Sequence, residues 1–120
     1  MAKECAIPEE VRAEIVERVE KFNKEYLSKE TEQYIPEFKG KFIYLKRVKL
    51  DGYCDPICRL TYDGALKNMH FAMYRFSNEK YDDTADAFFD AGTLEKAMKV
   101  GLEVYPIENG FVDVGDIFND

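Results

Sequence analysis

Several features that identify common functional classes are missing from this chain. It contains no tryptophan, a single histidine and only two serines, Ser28 and Ser77. Neither serine lies in the G-x-S-x-G context of a nucleophile elbow. The sequence also has no glycine-rich loop of the G-x-x-x-x-G-K-[ST] or G-x-G-x-x-G type that would bind a phosphate group. We therefore predict no motif-based hydrolase, no nucleotide-binding enzyme and no cofactor.

Long hydrophobic runs and a cysteine framework are absent as well. No apolar run approaches the roughly 20 residues that a membrane-spanning helix needs. Residues 1–8 lack the apolar stretch of a signal peptide. Three cysteines form an odd and small set, which is a poor disulfide framework and is typical of reduced thiols. The expectation is one cytoplasmic domain over residues 1–120, without membrane contact.

Charge is segregated along the chain. Residues 1–38 carry a net charge of −4, residues 39–75 carry +5 and residues 76–120 carry −8. The total of −7 and the pI near 4.8 argue against general affinity for nucleic acid or anionic membranes. A local basic surface can still attract an anion, because screening acts over about 8–10 Å.

Two helices are predicted from apolar periodicity. The first covers residues 8–30, where Pro8 suits the first turn and one apolar stripe recurs at helical spacing. The second covers residues 94–105, with Thr93 as N-cap and Pro106 after its end. Its apolar residues follow the i, i+3, i+4, i+7, i+8, i+11 pattern: Leu94, Ala97, Met98, Gly101, Leu102 and Tyr105.

The middle of the chain, residues 42–76, predicts a three-stranded antiparallel meander. The strands cover residues 42–50, 57–62 and 69–76, separated by the turn signals Asp51-Gly52 and Asp63-Gly64. The fold class is therefore α+β, in α-β-β-β-α order, with both helices on one face of the sheet. This order resembles that of double-stranded-RNA-binding domains, but the start of the last helix, residues 90–95, is acidic here, and we predict no nucleic-acid partner.

Two further segments complete the organisation. Residues 79–92 read as an acidic aromatic loop, which we expect to be anchored to the core by Phe88 and Phe89 and to lie against the basic sheet or in solvent. The tail, residues 107–120, is apolar and acidic. It is predicted to pack on the domain, to add a fourth strand at the sheet edge, or to reach a second copy of the chain.

Alternation along the strands sorts the side chains into two faces. The set expected to face the helices is Ile43, Leu45, Cys58, Leu60, Tyr62, His70, Ala72, Tyr74 and Phe76. The set expected on the outer face is Phe42, Tyr44, Lys46, Val48, Ile57, Arg59, Thr61, Phe71, Met73 and Arg75. A bulge near Arg47 or at the turns would exchange the two sets, because the side-chain period is two residues.

The outer set provides the candidate site. Its ligand-binding residues are Lys46, Arg59, Arg75, Tyr44 and Phe71. Cations beside aromatic rings on a sheet can hold an anion and stack a planar group. The same composition also suits a plain amphipathic surface with long side chains over apolar neighbours, or a protein interface.

Metal and catalytic alternatives have weaker sequence support. Cys54 and Cys58 form a C-x3-C pair that Cys5 and His70 could complete as a zinc site, but a matched second pair is missing. His70 could act as a general base, although no motif supplies its partner. Carboxylates that could hold a hard cation do not follow the calcium-loop spacing: Asp82, Asp83, Asp86 and Asp90. We predict no metal site and no catalytic residue.

The sequence therefore favours a non-enzymatic module that acts through association with a protein partner or with itself. The alternative is a module that binds a small anionic ligand on the basic and aromatic sheet face. An enzyme without a recognisable motif ranks third.

Overall fold

The computed structural model describes residues 7–27 and 31–106. Its helices and strands follow in the order α1 (Glu9–Tyr26), β1 (Gln33–Lys39), β2 (Phe42–Val48), β3 (Cys54–Thr61), β4 (His70–Arg75), β5 (Lys80–Asp82) and α2 (Leu94–Val104). A short 3₁₀ helix, Asp83–Ala87, lies between β5 and α2. The strands form one antiparallel sheet in chain order. The α+β class is confirmed, and the count of three or four strands is wrong, because the sheet has five.

The strand β1 is one of the two that the sequence analysis missed. Pro36 lies inside this strand, which is at the edge of the sheet, where a missing N–H is tolerated. The buried side chain of Asn23 fixes the strand to α1. Its Nδ2 donates to the carbonyl of Tyr34 at 2.9 Å, and its Oδ1 accepts from the Tyr34 N–H at 2.8 Å. One amide side chain therefore satisfies both backbone groups of a buried strand residue.

The strand β5 lies within the segment that was predicted to be an acidic loop. It pairs with β4 through Tyr74–Tyr81 and Arg75–Lys80. Asp82 then begins the 3₁₀ helix, because its carboxylate accepts from the N–H of Thr84 at 3.0 Å. Within the loop that follows, Phe89 packs on Phe71 with ring centroids 6.2 Å apart.

The helix predictions hold, with changes at their ends. In α1 the helix ends at Tyr26 because Leu27 is extended, and residues 28–30 lie outside the described part of the chain. In α2 the side chain of Thr93 accepts from the N–H of Lys96 at 3.2 Å, which confirms the predicted N-cap. Neither helix of the described residues is long and apolar enough to span a bilayer.

Both helices pack on one face of the sheet, where the core lies. The Tyr34 hydroxyl donates to the Met98 carbonyl at 2.8 Å, and the Cys58 Sγ lies 3.9 Å from the Ala97 carbonyl. The α2 residues expected in the core, Leu94, Met98 and Leu102, are fully buried. The sheet contributes Ile43, Leu45, Cys58 and Leu60 as predicted.

The face assignment was wrong for β4. Cys58 pairs with Met73 and Leu60 pairs with Phe71, so Phe71 and Met73 face the helices and are buried. The alternate residues of the strand, expected to face the helices, lie on the opposite side: His70, Ala72 and Tyr74. Both residue sets in this strand contain apolar or aromatic side chains, and alternation alone therefore does not decide which of them is buried.

A register shift in the β2–β3 pair explains a second difference. Leu45 pairs with Cys58 and Lys46 pairs with Pro56, which leaves Ile57 as an extra residue in β3. Ile57 was expected on the outer face, but both it and Cys58 are buried. The strand also begins at Cys54, three residues earlier than the predicted residue 57. The tail at 107–120 and the fourth strand proposed from it lie outside the described residues.

Candidate binding face

The side of the sheet opposite the helices carries the candidate site. We call it the open face, and define it by strand alternation and register. Its residues are Phe42, Tyr44 and Lys46 of β2, Arg59 and Thr61 of β3, His70, Ala72 and Tyr74 of β4, and Tyr81 of β5. The described hydrogen bonds between the sheet and the helices α1 and α2 lie on the helix-facing side, at Tyr34 and Cys58.

A row of aromatic rings crosses the open face from β2 to β5. The Phe42 and Tyr44 rings are 6.1 Å apart between centroids, Tyr44 and Tyr81 are 5.4 Å apart, and Tyr81 and Tyr74 are 5.1 Å apart. Tyr44 and Tyr81 belong to strands separated by two others, and their rings therefore lean toward each other across β3 and β4. Beneath them Ala72 is only 1% exposed. The rings thus form a small packed layer on the side of the sheet opposite α1 and α2.

The same row continues to the end of α2. The Tyr74 ring lies 5.0 Å from Phe76, and Phe76 lies 5.1 Å from Tyr105. The Tyr105 hydroxyl donates to the Tyr74 carbonyl at 2.6 Å. Both ring contacts are edge-to-face pairs, an arrangement that stabilises the fold by about 0.5–1.5 kcal/mol in addition to the effect of burying apolar area. The open face is therefore physically connected to the helix-facing layer.

Arg59 occupies the centre of this layer. Its guanidinium carbon lies 4.8 Å from the Phe42 ring centroid and 5.1 Å from that of Tyr81. The Nε atom is buried and has no hydrogen-bond partner within residues 7–27 and 31–106, and no carboxylate of those residues forms an ion pair with it. Burial, followed by the neighbouring Tyr44, raises the pKa of Tyr81 above its ordinary value. The layer therefore holds a cation that no described carboxylate pairs with, next to a phenol that stays protonated.

Tyr44 and Lys46 stand beside Arg59 as the sequence predicted. Tyr44 is the register partner of Arg59 in the β2–β3 pair. Lys46 Nζ lies 2.7 Å from a carboxylate oxygen of Glu37, and the hydrogen bond from Lys46 is the main cause that lowers the pKa of Glu37. On this face Lys46 is thus paired with a carboxylate, and Arg59 is held by aromatic rings.

Arg75 and Phe71 do not join this group. Phe71 was expected to be an exposed stacking residue, but it is fully buried in the core because β4 has the opposite face assignment. Arg75 shares strand parity with Phe71 and pairs with Asp82, with Nη2 and Oδ2 2.9 Å apart. The candidate site therefore retains Tyr44, Lys46 and Arg59 from the predicted five residues.

Three aromatic residues of the site were not among the predicted binding residues: Phe42, Tyr74 and Tyr81. Phe42 was assigned to the correct face but not to the site. Tyr74 and Tyr81 are equidistant from the Ser77-Asn78 turn, which is the spacing of a cross-strand pair in a hairpin. That symmetry was the available signal for β5, and the acidic residues around Tyr81 obscured it.

The metal and catalytic alternatives gain no geometric support. Cys54 is exposed and Cys58 is buried, both as free thiols, and burial raises the pKa of Cys58 to about 12. Cys5 lies outside the described residues. Within those residues no group of three or more His, Cys, Asp or Glu side chains is arranged to hold a metal ion. The half-exposed His70 has its Nδ1 3.3 Å from Asp86, whose other oxygen accepts from the Phe71 N–H.

A cleft of about 520 Å³ lies at the C-terminal end of α2. Its charged residues are paired with one another: Arg47 Nε lies 3.5 Å from Glu32, and Lys49 Nζ lies 3.2 Å from Asp55. The buried Arg47 also donates to the Tyr105 carbonyl at the helix terminus. Because carboxylates of the cleft neutralise these cations, the cleft is a weaker anion site than the open face.

Comparisons of the chain with protein-family models, with curated proteins and with solved structures found no match.

Proposed function

We propose that this chain is a non-enzymatic association module that binds protein through the open face of its sheet. The observation that carries the proposal is the position of Arg59, which is held between Phe42 and Tyr81 without a carboxylate partner among the described residues. Tyr, Phe and Arg are enriched at the centres of protein interfaces, where a few such side chains dominate the binding energy.

The chemistry of the face suits recognition better than proton transfer. A guanidinium stays charged at all ordinary pH values. The raised pKa of Tyr81 keeps that phenol neutral at the same pH values. The two groups at the centre therefore present a constant pattern of one cation and one hydroxyl. We propose the cytoplasm as the compartment, which agrees with Cys54 and Cys58 being free thiols.

Photocrosslinking tests this function in the cell that produces the protein. A benzophenone amino acid would replace Thr61 on the open face and, as a matched control, Glu17 on the exposed outer side of α1. The expected result is a discrete protein adduct from position 61 that disappears in an Arg59→Ala background. Equal labelling from the two positions, or an adduct that is insensitive to Arg59→Ala, would contradict an interface at the open face.

The second candidate function is binding of a small anion, and it is favoured by the unpartnered Nε of Arg59. Thermal unfolding with inorganic phosphate and with an aromatic carboxylate would separate it from protein association. A ligand bound to the folded state raises the melting temperature by mass action. A rise that is lost in Arg59→Ala, together with no Arg59-dependent crosslink in cells, would favour the anion over a protein partner.

A further inference from the structure

The loop after β5 exposes an aromatic side chain. Phe88 is 81% exposed, which is the highest value among the large apolar residues that the structure describes. Its neighbour Phe89 packs on Phe71, and Asp86 accepts from the Phe71 N–H at 3.1 Å. The expectation that both phenylalanines anchor the loop is therefore wrong, since only Phe89 does so. The anchored side holds the loop in place while Phe88 projects into solvent.

Carboxylates flank Phe88 in the sequence. We call residues 83–90 the Phe88 loop; it contains Asp83, Asp86 and Asp90 and no lysine or arginine. Asp90 pairs with Lys96 at 2.9 Å, and its side chain is 82% exposed. The Phe88 loop therefore presents an apolar anchor with negative charge on both sides of it.

The open face has the complementary composition. Lys39, Lys41, Lys46 and Arg59 lie on it or at its margin, and the carboxylate of Glu37 pairs with Lys46. The Phe88 loop of the same chain does not neutralise these cations. It is anchored at Phe71 on the helix-facing side, and its described ion pairs go to His70 and Lys96. Two complementary surfaces are thus present on one molecule, and among the described residues the ion pair that joins them is Asp86–His70 at the edge of the sheet.

We propose that the open face receives the Phe88 loop of a second copy of this chain. Phe88 would pack among the rings of Phe42, Tyr44 and Tyr81, and a loop carboxylate would bind the guanidinium of Arg59, whose Nε has no partner among the described residues. This inference rests on the proposed function and names its partner. Because the two surfaces differ, each copy offers one of each kind, and the contact is heterologous or is repeated twice about a two-fold axis.

Sedimentation velocity of the purified full chain over a range of concentrations tests the proposal. We expect concentration-dependent association that weakens at high salt, because exposed charges are screened. Phe88→Ser and Arg59→Ala should each weaken self-association by about 30-fold or more in Kd, as for a central interface residue. Leu50→Ser is the matched control, because it removes another exposed apolar side chain, 68% exposed, at the β2–β3 turn. It should behave as the unmodified chain.

Mixing the two defective variants provides the sharper test. Phe88→Ser retains a working open face and Arg59→Ala retains a working Phe88 loop. An equimolar mixture should therefore form a one-to-one complex at a concentration at which each variant alone is mostly monomeric. If the contact instead joins two open faces symmetrically, mixing will not restore association, and Phe88→Ser alone will not weaken it. Either result would overturn the proposal.

The remaining outcomes distinguish this inference from the proposed function. A chain that stays monomeric at the highest concentration overturns the self-association, while an Arg59-dependent crosslink in cells would still support an interface with another protein. If Arg59→Ala lowers the melting temperature strongly, Arg59→Lys replaces it. That variant keeps the charge but loses the planar group between the rings, and it should associate more weakly than the unmodified chain.

Discussion

Gly101 of α2 allows the helix to lie directly on the sheet. A Cβ atom at this position would lie 2.3 Å from the Tyr34 hydroxyl oxygen and 2.7 Å from Cγ2 of Ile57. Both neighbours are about 1% exposed, and the Tyr34 hydroxyl is fixed by its hydrogen bond to the Met98 carbonyl. The space that glycine leaves open is therefore filled by a rigid phenol, which has no free volume into which to move.

Gly101→Ala consequently has two effects of opposite sign on the free energy of unfolding. Alanine is favoured over glycine inside a helix by about 1 kcal/mol. Forcing an extra methyl group into a packed core costs about 1–3 kcal/mol, and occasionally more. Because both contacts are shorter than atoms can tolerate, we place the cost at or above the upper end of this range. We expect a net loss of about 2 kcal/mol in the free energy of unfolding.

Urea unfolding followed by circular dichroism measures this loss, and Tyr34→Phe identifies its cause. The phenylalanine variant removes the oxygen at 2.3 Å, which leaves Ile57 as the remaining close contact. Gly101→Ala should therefore cost less in that background, with a coupling of about 1 kcal/mol in the double-mutant cycle. Glu103→Ala, on the exposed side of the same helix, is the control. A Gly101→Ala variant more stable than the original chain would refute the reasoning.

Three other predictions follow from the core and its boundary. Asn23→Ala should lower the unfolding free energy by about 2–4 kcal/mol, because it leaves the buried N–H and carbonyl of Tyr34 without partners; urea unfolding checks this against Lys24→Ala, and an equal loss in the two variants would contradict it. Leu60→Ala should cost about 2–5 kcal/mol as a cavity in the core; little or no loss in the same assay would show that this face is not buried. The Arg18 hydrogen bond lowers the pKa of Glu95 from 4.5, so its stabilisation is present above that pH and is lost as the pH falls through the lowered pKa. Glu95→Gln should therefore cost less than about 1 kcal/mol at neutral pH and almost nothing in acid, as measured by thermal unfolding at several pH values, and a pH-independent difference would contradict the assignment.

Strong local signals in the sequence were sufficient for α2 and for the antiparallel meander. Thr93 and Pro106 mark the ends of α2, and the apolar residues between them follow one helical stripe. The strand β1 could not be found in this way, because its residue Pro36 is a strong breaker signal in isolation. The strand is fixed by a tertiary contact. The Asn23 amide, 11 residues away in sequence, forms hydrogen bonds with both the N–H and the carbonyl of Tyr34. No local pattern encodes that contact.

The candidate site was predictable in β2 and β3 and not beyond them. Tyr44 and Arg59 share a face because polar and apolar residues alternate clearly in both strands. In β4 both parities contain large apolar side chains, and the choice between Phe71 and Tyr74 depends on the register with β3. The segregation of charge predicted a basic surface, which stays a prediction. It did not show that the acidic loop is anchored on Phe71, with described ion pairs to His70 and Lys96 rather than to Lys46 or Arg59.

The aromatic row from Phe42 to Tyr105 also has an optical consequence. The chain contains no tryptophan, and its near-ultraviolet signals above the phenylalanine bands therefore come from tyrosine. Tyr44, Tyr74 and Tyr81 are linked by ring contacts of 5.4 and 5.1 Å, close enough for their electronic transitions to couple. Near-ultraviolet circular dichroism should thus contain a coupled contribution from this cluster, and the open face carries an intrinsic, label-free reporter of its own occupancy.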